Sequence, residues 1–280
     1  MTELRYDVFV APSIPTATTD LPPDLDQRVW SPISATLVSG ERDAVLVDPL
    51  MTDDQATSLV EWITETGRNL TTVYVTHGHG DHWFGLGTVL DRFPAARAVA
   101  TPAVVAQMRK QGSADFVESF WNARFPGQIP SRLALADELE GDRFELEGEE
   151  LVVVDLGHTD TDDTTCLHVP SIGLVVAGDA AYNDVHLYLA ESPADGRQEW
   201  LEALDTIEAL QPRTVVAGHK RAGLPDDPAI LDRTRRYIHD FEQLLDRTST
   251  AEELYRAMLE RHPGRVNRGA VWGSARSAKG

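Results

Sequence analysis

The sequence predicts an α+β fold in which two β-sheets pack face to face between outer layers of helices, with a helical extension at the C-terminal end. Two observations predict it. Short segments rich in β-branched residues, bounded by turn formers, alternate with segments of helical period. In each half of the chain the strands come first and a helix follows, an order that two helix-covered sheets would produce. The 280 residues, 42% hydrophobic and 25% charged, have ordinary globular composition and suffice for a sizeable core.

Residues 1–12 form a short strand-like opening, with 6–10 its strand. Residues 34–38 and 44–47 read as two more strands, joined by a turn at 40–43. Residues 53–66 read as a helix because Ala56, Leu59, Val60 and Ile63 share one face, and Thr52 is placed to cap it. A strand at 71–75 is followed by a helix over 83–92. Thr101 caps a helix that opens with Pro102, and 114–124 is helical. In the second half, 142–146 and 151–156 make a hairpin about Glu147-Gly148-Glu149. Residues 165–169 and 173–177 are buried strands, 197–210 a helix and 214–217 the last strand. Two helices, 226–247 and 250–261, close the chain; Leu231, Tyr237, Phe241 and Leu244 give the first an apolar stripe. The locally basic stretch 261–279 reads as a solvated tail. Residues 1–222 thus form the αβ domain, and 223–280 are helices and a tail packed on it.

The net charge is −20. Such a surface repels nucleic acid, so the expected partner is a small-molecule substrate, with the protein a monomer or homodimer. No apolar run reaches membrane-spanning length, and no export signal is seen. The one cysteine, Cys166, lies in an apolar stretch and reads as a buried, inert thiol; a reducing cytoplasm is the expected location.

The chemistry concentrates in Thr76-His77-Gly78-His79-Gly80-Asp81-His82. Three imidazoles and a carboxylate follow directly on an apolar strand, and these are donors that zinc accepts. Alternation points His77 and His79 the same way; Asp81 and His82, being adjacent, point apart and reach toward a second position. Two ions are therefore expected rather than one. Three further donors each follow a glycine at the end of an apolar strand: His158 after Gly157, Asp179 after Gly178 and His219 after Gly218. A strand fixes a ligand's position, and the glycine leaves room for an ion and its water.

This set resembles the metal-binding signature of the metallo-β-lactamase-fold superfamily, over roughly residues 5–222. The resemblance implies a four-layer αββα sandwich. It implies that His77, His79 and His158 hold a first divalent ion, that Asp81, His82 and His219 hold a second, and that Asp179 bridges them. Zinc is the leading choice, with iron or manganese permitted by the same donors. Asp48 matches the family's first motif as a supporting aspartate, a turn aspartate before Pro49 being the alternative. The implied activity is a binuclear, metal-dependent hydrolase in which a metal-bridging hydroxide attacks a small lactone, ester or thioester, with Asp81 and Tyr182 catalytic. Trp83, His186 and Lys220 are candidate substrate contacts. One alternative is a mononuclear iron oxidoreductase of the persulfide dioxygenase type; another is a β-lactam-hydrolysing enzyme. The third motif departs from its relatives. It reads His158-Thr159-Asp160-Thr161-Asp162, where the glyoxalase II and acyl-homoserine lactonase branches usually have His-Thr-x-Gly-His.

Overall fold

The computed structural model describes residues 3–280; the first two residues of the strand-like opening lie outside it. The first half runs β1 (Arg5–Ala11), β2 (Ile33–Ser39), β3 (Asp43–Val47), α1 (Asp53–Glu65), β4 (Asn69–Tyr74), α2 (Leu86–Arg92), β5 (Arg97–Ala100), α3 (Pro102–Gln111), α4 (Ala114–Phe116) and β6 (Asp137–Glu138). The second half runs β7 (Arg143–Leu146), β8 (Glu149–Gly157), β9 (Thr164–Val169), β10 (Leu174–Val176), β11 (Tyr182–Asn183), α5 (Ala194–Ala209), β12 (Thr214–Val216), β13 (His219–Lys220), α6 (Ile230–Leu245), α7 (Ala251–Arg261) and α8 (Arg268–Lys279).

Strands β1 to β6 form one sheet in sequence order; β12-β10-β9-β8-β7 form the second, and β11 pairs with β13. Residues of a strand alternate between faces, and that alternation produces the layers. In β3, Ala44 and Leu46 pack with the helices of the first half, while Val45 and Val47 enter the interior between the sheets. In β12, Val216 joins that interior, and Val215 packs outward with Trp200, Tyr237 and Phe241. Three apolar layers therefore separate four layers of structure, as an αββα sandwich requires. No helix is long and apolar enough to cross a membrane among the described residues.

Helix α1 begins where expected. Thr52 accepts from the Gln55 N–H and Gln55 returns a bond to the Thr52 N–H, a reciprocal cap. Three segments differ from the sequence reading. Helix α2 starts at Leu86 because Gly80–His82 is already wound into a 3-10 turn. The helix expected over 114–124 is π-helical at Val117–Asn122, a widened turn often found at functional sites. The supposed solvated tail contains α8, with Val271, Trp272 and Ala275 in the core. Its apolar residues are few and spaced among Gly, Ser and Ala, so composition hid the helix.

The two sheets are tied at one end by Glu147, whose carboxylate accepts from the backbone N–H groups of Arg42 (2.7 Å), Asp43 (2.8 Å) and Glu41 (3.1 Å). The Asp43 and Arg42 N–H groups, which bond the ionised form more strongly than the neutral one, draw its pKa from 4.5 to about 2. A carboxyl lowered on folding stabilises the protein above about pH 4.5 and loses that contribution as pH falls toward 2. Glu147→Gln is therefore expected to be less stable at pH 7. The gap between the denaturant midpoints of wild type and variant should narrow below about pH 4.5 and close only as pH approaches 2; a constant gap across that range would contradict the account.

Candidate metal centre

The expected donors sit just beyond strand ends. β3 delivers Asp48, β4 the loop 76–82, β8 His158, β10 Asp179 and β12 His219. Both sheets contribute, and their donors meet at one rim.

Asp48 anchors the ligand loop. Its backbone is left-handed, φ 59°, which for a residue with a side chain costs energy and marks an imposed geometry. Its Oδ1 accepts from the Thr76 N–H at 2.9 Å and its Oδ2 from Thr76 Oγ1 at 2.8 Å, with His82 Nδ1 3.2 Å away. The carboxylate is thus engaged in orienting the loop and His82.

Besides the group Asp48, His77 and His82 at the loop anchor, two donor sets converge here. Asp81, His82 and His219 offer ligand atoms within 4.8 Å of one another, and so do His77, His79 and Asp160. Asp81 and His82 do not point apart; the 3-10 turn brings both to the same position. Asp179 lies among the histidines, with Oδ1 3.2 Å from His82 Nε2 and Oδ2 3.1 Å from His219 Nε2. Asp81 Oδ2 is 3.5 Å from His219 Nε2 and 3.8 Å from His82 Nε2.

These spacings are those of ligands around an ion. Donors held at ~2.0–2.2 Å from a zinc-sized ion stand roughly 3.3 Å from each other. The Nε2 atoms of His77 and His82, and Asp179 Oδ1, are buried with no hydrogen-bond partner. Leaving such atoms unsatisfied costs about 1–3 kcal/mol each, so a further group is needed at their focus. The opposite ring nitrogens are held: His77 Nδ1 lies 2.9 Å from Thr76 Oγ1, His219 Nδ1 2.9 Å from the Pro32 carbonyl and His79 Nε2 3.4 Å from Glu191. One nitrogen fixed outside and one turned inward is how imidazoles are set for a metal; the inner nitrogen is unpartnered in His77 and His82, whereas His79 Nδ1 and His219 Nε2 face Asp160 and Asp179. The residues present fit a divalent ion.

The electrostatics divide the donors: burial opposes charge on His79, His82 and His219, but Asp160 and Asp179 outweigh it and raise all three above the ordinary imidazole value. Burial pushes His77 down to about 3, leaving a neutral imidazole with a free lone pair. Burial opposes charge on Asp179, but His219 and His82 outweigh it and hold its carboxyl well below the usual range. Burial and then Asp179 raise the Tyr182 phenol well above its ordinary value, so it keeps its proton and donates to Asp179 Oδ2 at 2.8 Å. Gly218 is required by close approach: a Cβ there would lie 2.2 Å from Asp179 Oδ1.

His158 belongs to neither donor set. Its Nδ1 is 2.7 Å from Asp162 Oδ1, and its ring lies against Gly196 in the first turn of α5. The loop folds back, with the Thr159 N–H bonded to the Thr161 carbonyl at 2.9 Å, and presents Asp160 to His79 instead.

Above the donors opens a cleft of about 740 Å³ including its mouth. Trp30, Phe116, Phe120, Trp121 and Tyr188 give it an aromatic wall, and Arg28 and Arg124 add two cations. Trp30 Nε1 also donates to Asp81 Oδ2 at 2.8 Å.

The Metallo-beta-lactamase superfamily description matches residues 28–219, more than half of the chain. The chain belongs to the metallo-β-lactamase superfamily. Solved structures similar to it include a metallo-β-lactamase from Pontibacter korlensis (TM-score 0.60, 17% identity, covering 85% of this chain and 100% of that one). A metallo-β-lactamase family protein from Thermus thermophilus is similar too (TM-score 0.63, 19% identity, 94% and 91%). At such identities the likeness shows the fold. Among curated proteins, hydroxyacylglutathione hydrolase of Actinobacillus pleuropneumoniae serotype 5b (strain L20) is 30% identical over 89 residues. That stretch is 32% of this chain and 33% of the relative's length.

In this metallo-β-lactamase superfamily member the three residues expected to touch substrate lie elsewhere. Trp83 is fully buried and its Nε1 donates to the Gly78 carbonyl at 2.9 Å, bracing the ligand loop from beneath. His186 is buried under α6, its Nδ1 3.0 Å from the Tyr237 hydroxyl. Lys220 is buried in an ion pair with Asp226. Trp83 and Lys220 each adjoin a donor in sequence, but the adjacent side chain on a turn or strand faces away. Trp30, Arg28 and Asp160 reach the cleft without having been singled out. The first two precede β2 with no motif around them; Asp160 stood inside the departing third motif, which was the available signal.

Proposed function

We propose that the protein is a metal-dependent hydrolase that holds two divalent ions, zinc first among them, and acts on a small lactone, ester or thioester. The observation that carries this reading is Asp179, set between His82 and His219 beside the unpartnered Nε2 atoms of His77 and His82, on the floor of an aromatic cleft. Two divalent ions there would bring the pKa of a shared water toward neutrality and polarise a carbonyl. The chain's own residues do the rest. Tyr182 keeps its proton at the edge of the cleft and gives it to Asp179 Oδ2; turned from that acceptor, the same hydroxyl would donate to a developing oxyanion. Trp30 holds Asp81 in orientation. The aromatic wall excludes water and takes up the apolar part of the substrate. Arg124 lies over the Phe120 ring at 3.7 Å and has no ion pair among the described residues, which favours an anionic group on the substrate. A thioester accords with the name of the hydroxyacylglutathione hydrolase relative.

The test is a panel of lactones, esters, thioesters and β-lactams assayed before and after dialysis against a chelator. Hydrolysis of a panel member should vanish with the metal and return with added zinc. Chelator-resistant turnover, or a metal-loaded protein inert across the panel, would contradict the reading.

A further inference from the structure

We propose that residues 30–34 frame the donor set Asp81, His82 and His219, with Trp30 as the positioning residue for Asp81. The proposal rests on the two-ion reading above and gives part of that site to a segment that carries no ligand. Residues 30–34 run from the cleft wall into β2 and reach two of the three donors. Trp30 Nε1 donates to Asp81 Oδ2 at 2.8 Å, and the Pro32 carbonyl accepts from His219 Nδ1 at 2.9 Å. A carbonyl only accepts, so it keeps a proton on that nitrogen and turns His219 Nε2 toward Asp179 and Asp81, at 3.1 and 3.5 Å. Ser34 ties the segment to the strand end that delivers His219: its N–H donates to the Gly218 carbonyl at 2.8 Å and its hydroxyl to the Ala217 carbonyl at 2.5 Å. The segment is itself held. The Trp30 N–H donates to the Ile14 carbonyl at 2.7 Å, and Ser31 accepts from the Asn267 amide just before α8. The Trp30 ring packs edge-on against Trp121 and Phe125, at 5.6 and 5.4 Å. A carboxylate in a three-residue turn is free to rotate about its side-chain bonds, and a short bond to a packed ring removes that freedom. The kind of donor matters. An indole N–H is neutral and donates only, so it fixes Asp81 without offering an ion a rival ligand.

The experiment measures stepwise metal affinity. Full-length wild type, Trp30→Phe and Trp121→Phe are titrated with zinc against a chromophoric chelator, and circular dichroism monitors folding. Trp30→Phe keeps an aromatic ring and loses the donor. One of its two zinc affinities should fall by about 10- to 100-fold while the other matches wild type. Trp121→Phe disturbs the same ring cluster but spares the Trp30 donor, and it should keep both affinities. A second readout needs no variant. Wild type labelled with nitrogen-15 on its six tryptophans gives an indole N–H signal for each. The Trp30 signal, assigned by its contacts with Trp121 and Phe125, should move when zinc is added. Two wild-type affinities in Trp30→Phe, an equal loss in Trp121→Phe, or a Trp30 signal indifferent to zinc would overturn the assignment. A wild type that binds fewer than two ions would overturn the two-ion reading along with it, a distinguishable failure.

Discussion

Asp179→Ala is expected to lower hydrolysis by on the order of 10³-fold or more and to leave fewer than two ions per chain. The side chain is nearly inaccessible, and both of its oxygens face histidine nitrogens at 3.1–3.2 Å. Its removal takes away the carboxylate nearer to both His82 and His219, with Asp81 standing farther from each, and strands the Tyr182 hydroxyl without its acceptor. Deleting a charge from among buried imidazoles also leaves them freer to stay neutral, so the variant is expected to fold. Asp179→Asn keeps the shape and an acceptor for Tyr182, yet gives up the negative charge. It should resemble the alanine variant in activity and wild type in thermal stability. Steady-state kinetics on the best panel substrate, with metal content measured on the same samples, check this. Wild-type turnover in either variant would contradict the role given to Asp179.

Ending the chain after Val266 is expected to destabilise it by roughly 3–5 kcal/mol or more, the range for emptying a large buried aromatic site. The cut removes α8, and with it Val271, Trp272 and Ala275 from the core. The Trp272 ring meets Tyr255 edge-on at 5.5 Å, and its Nε1 donates to Asp20 at 3.0 Å. Ser274 Oγ accepts from the Leu189 N–H at 2.8 Å, and the Asn267 amide donates to Ser31 at 2.6 Å. Asn267, Gly269 and Ala270 also line the cleft, so KM should rise for any variant that survives. Urea midpoints measure the stability change. A truncated chain with an unchanged midpoint would show the solvated tail that the sequence suggested.

These two results bracket what the sequence could disclose. The heptapeptide 76–82 stood out because four candidate ligands in six residues have no common structural use, and the fold gathers them at one rim. His219 and Asp179 were readable because each ends an apolar strand after a glycine, and Gly218 is indeed pressed against Asp179. The layers were readable because period-2 and period-3.6 patterns alternate cleanly. The direction of individual side chains was not readable. His158 and Asp160 stand two residues apart in one turn, and only the fold-back at Thr159 decides which of them meets His79. Lys220 adjoins His219, yet strand alternation turns it to Asp226. Helix α8 was missed for a different reason: with Gly, Ser and Ala spaced through it, its burial comes from what it packs on rather than from its own apolar stripe.

The most direct measurement is the metal content of full-length protein purified without chelator or nickel affinity, read by mass spectrometry. Two zinc ions per chain is the predicted result. One iron per chain with measurable oxygen uptake would contradict the binuclear hydrolase and put the oxidoreductase alternative in its place.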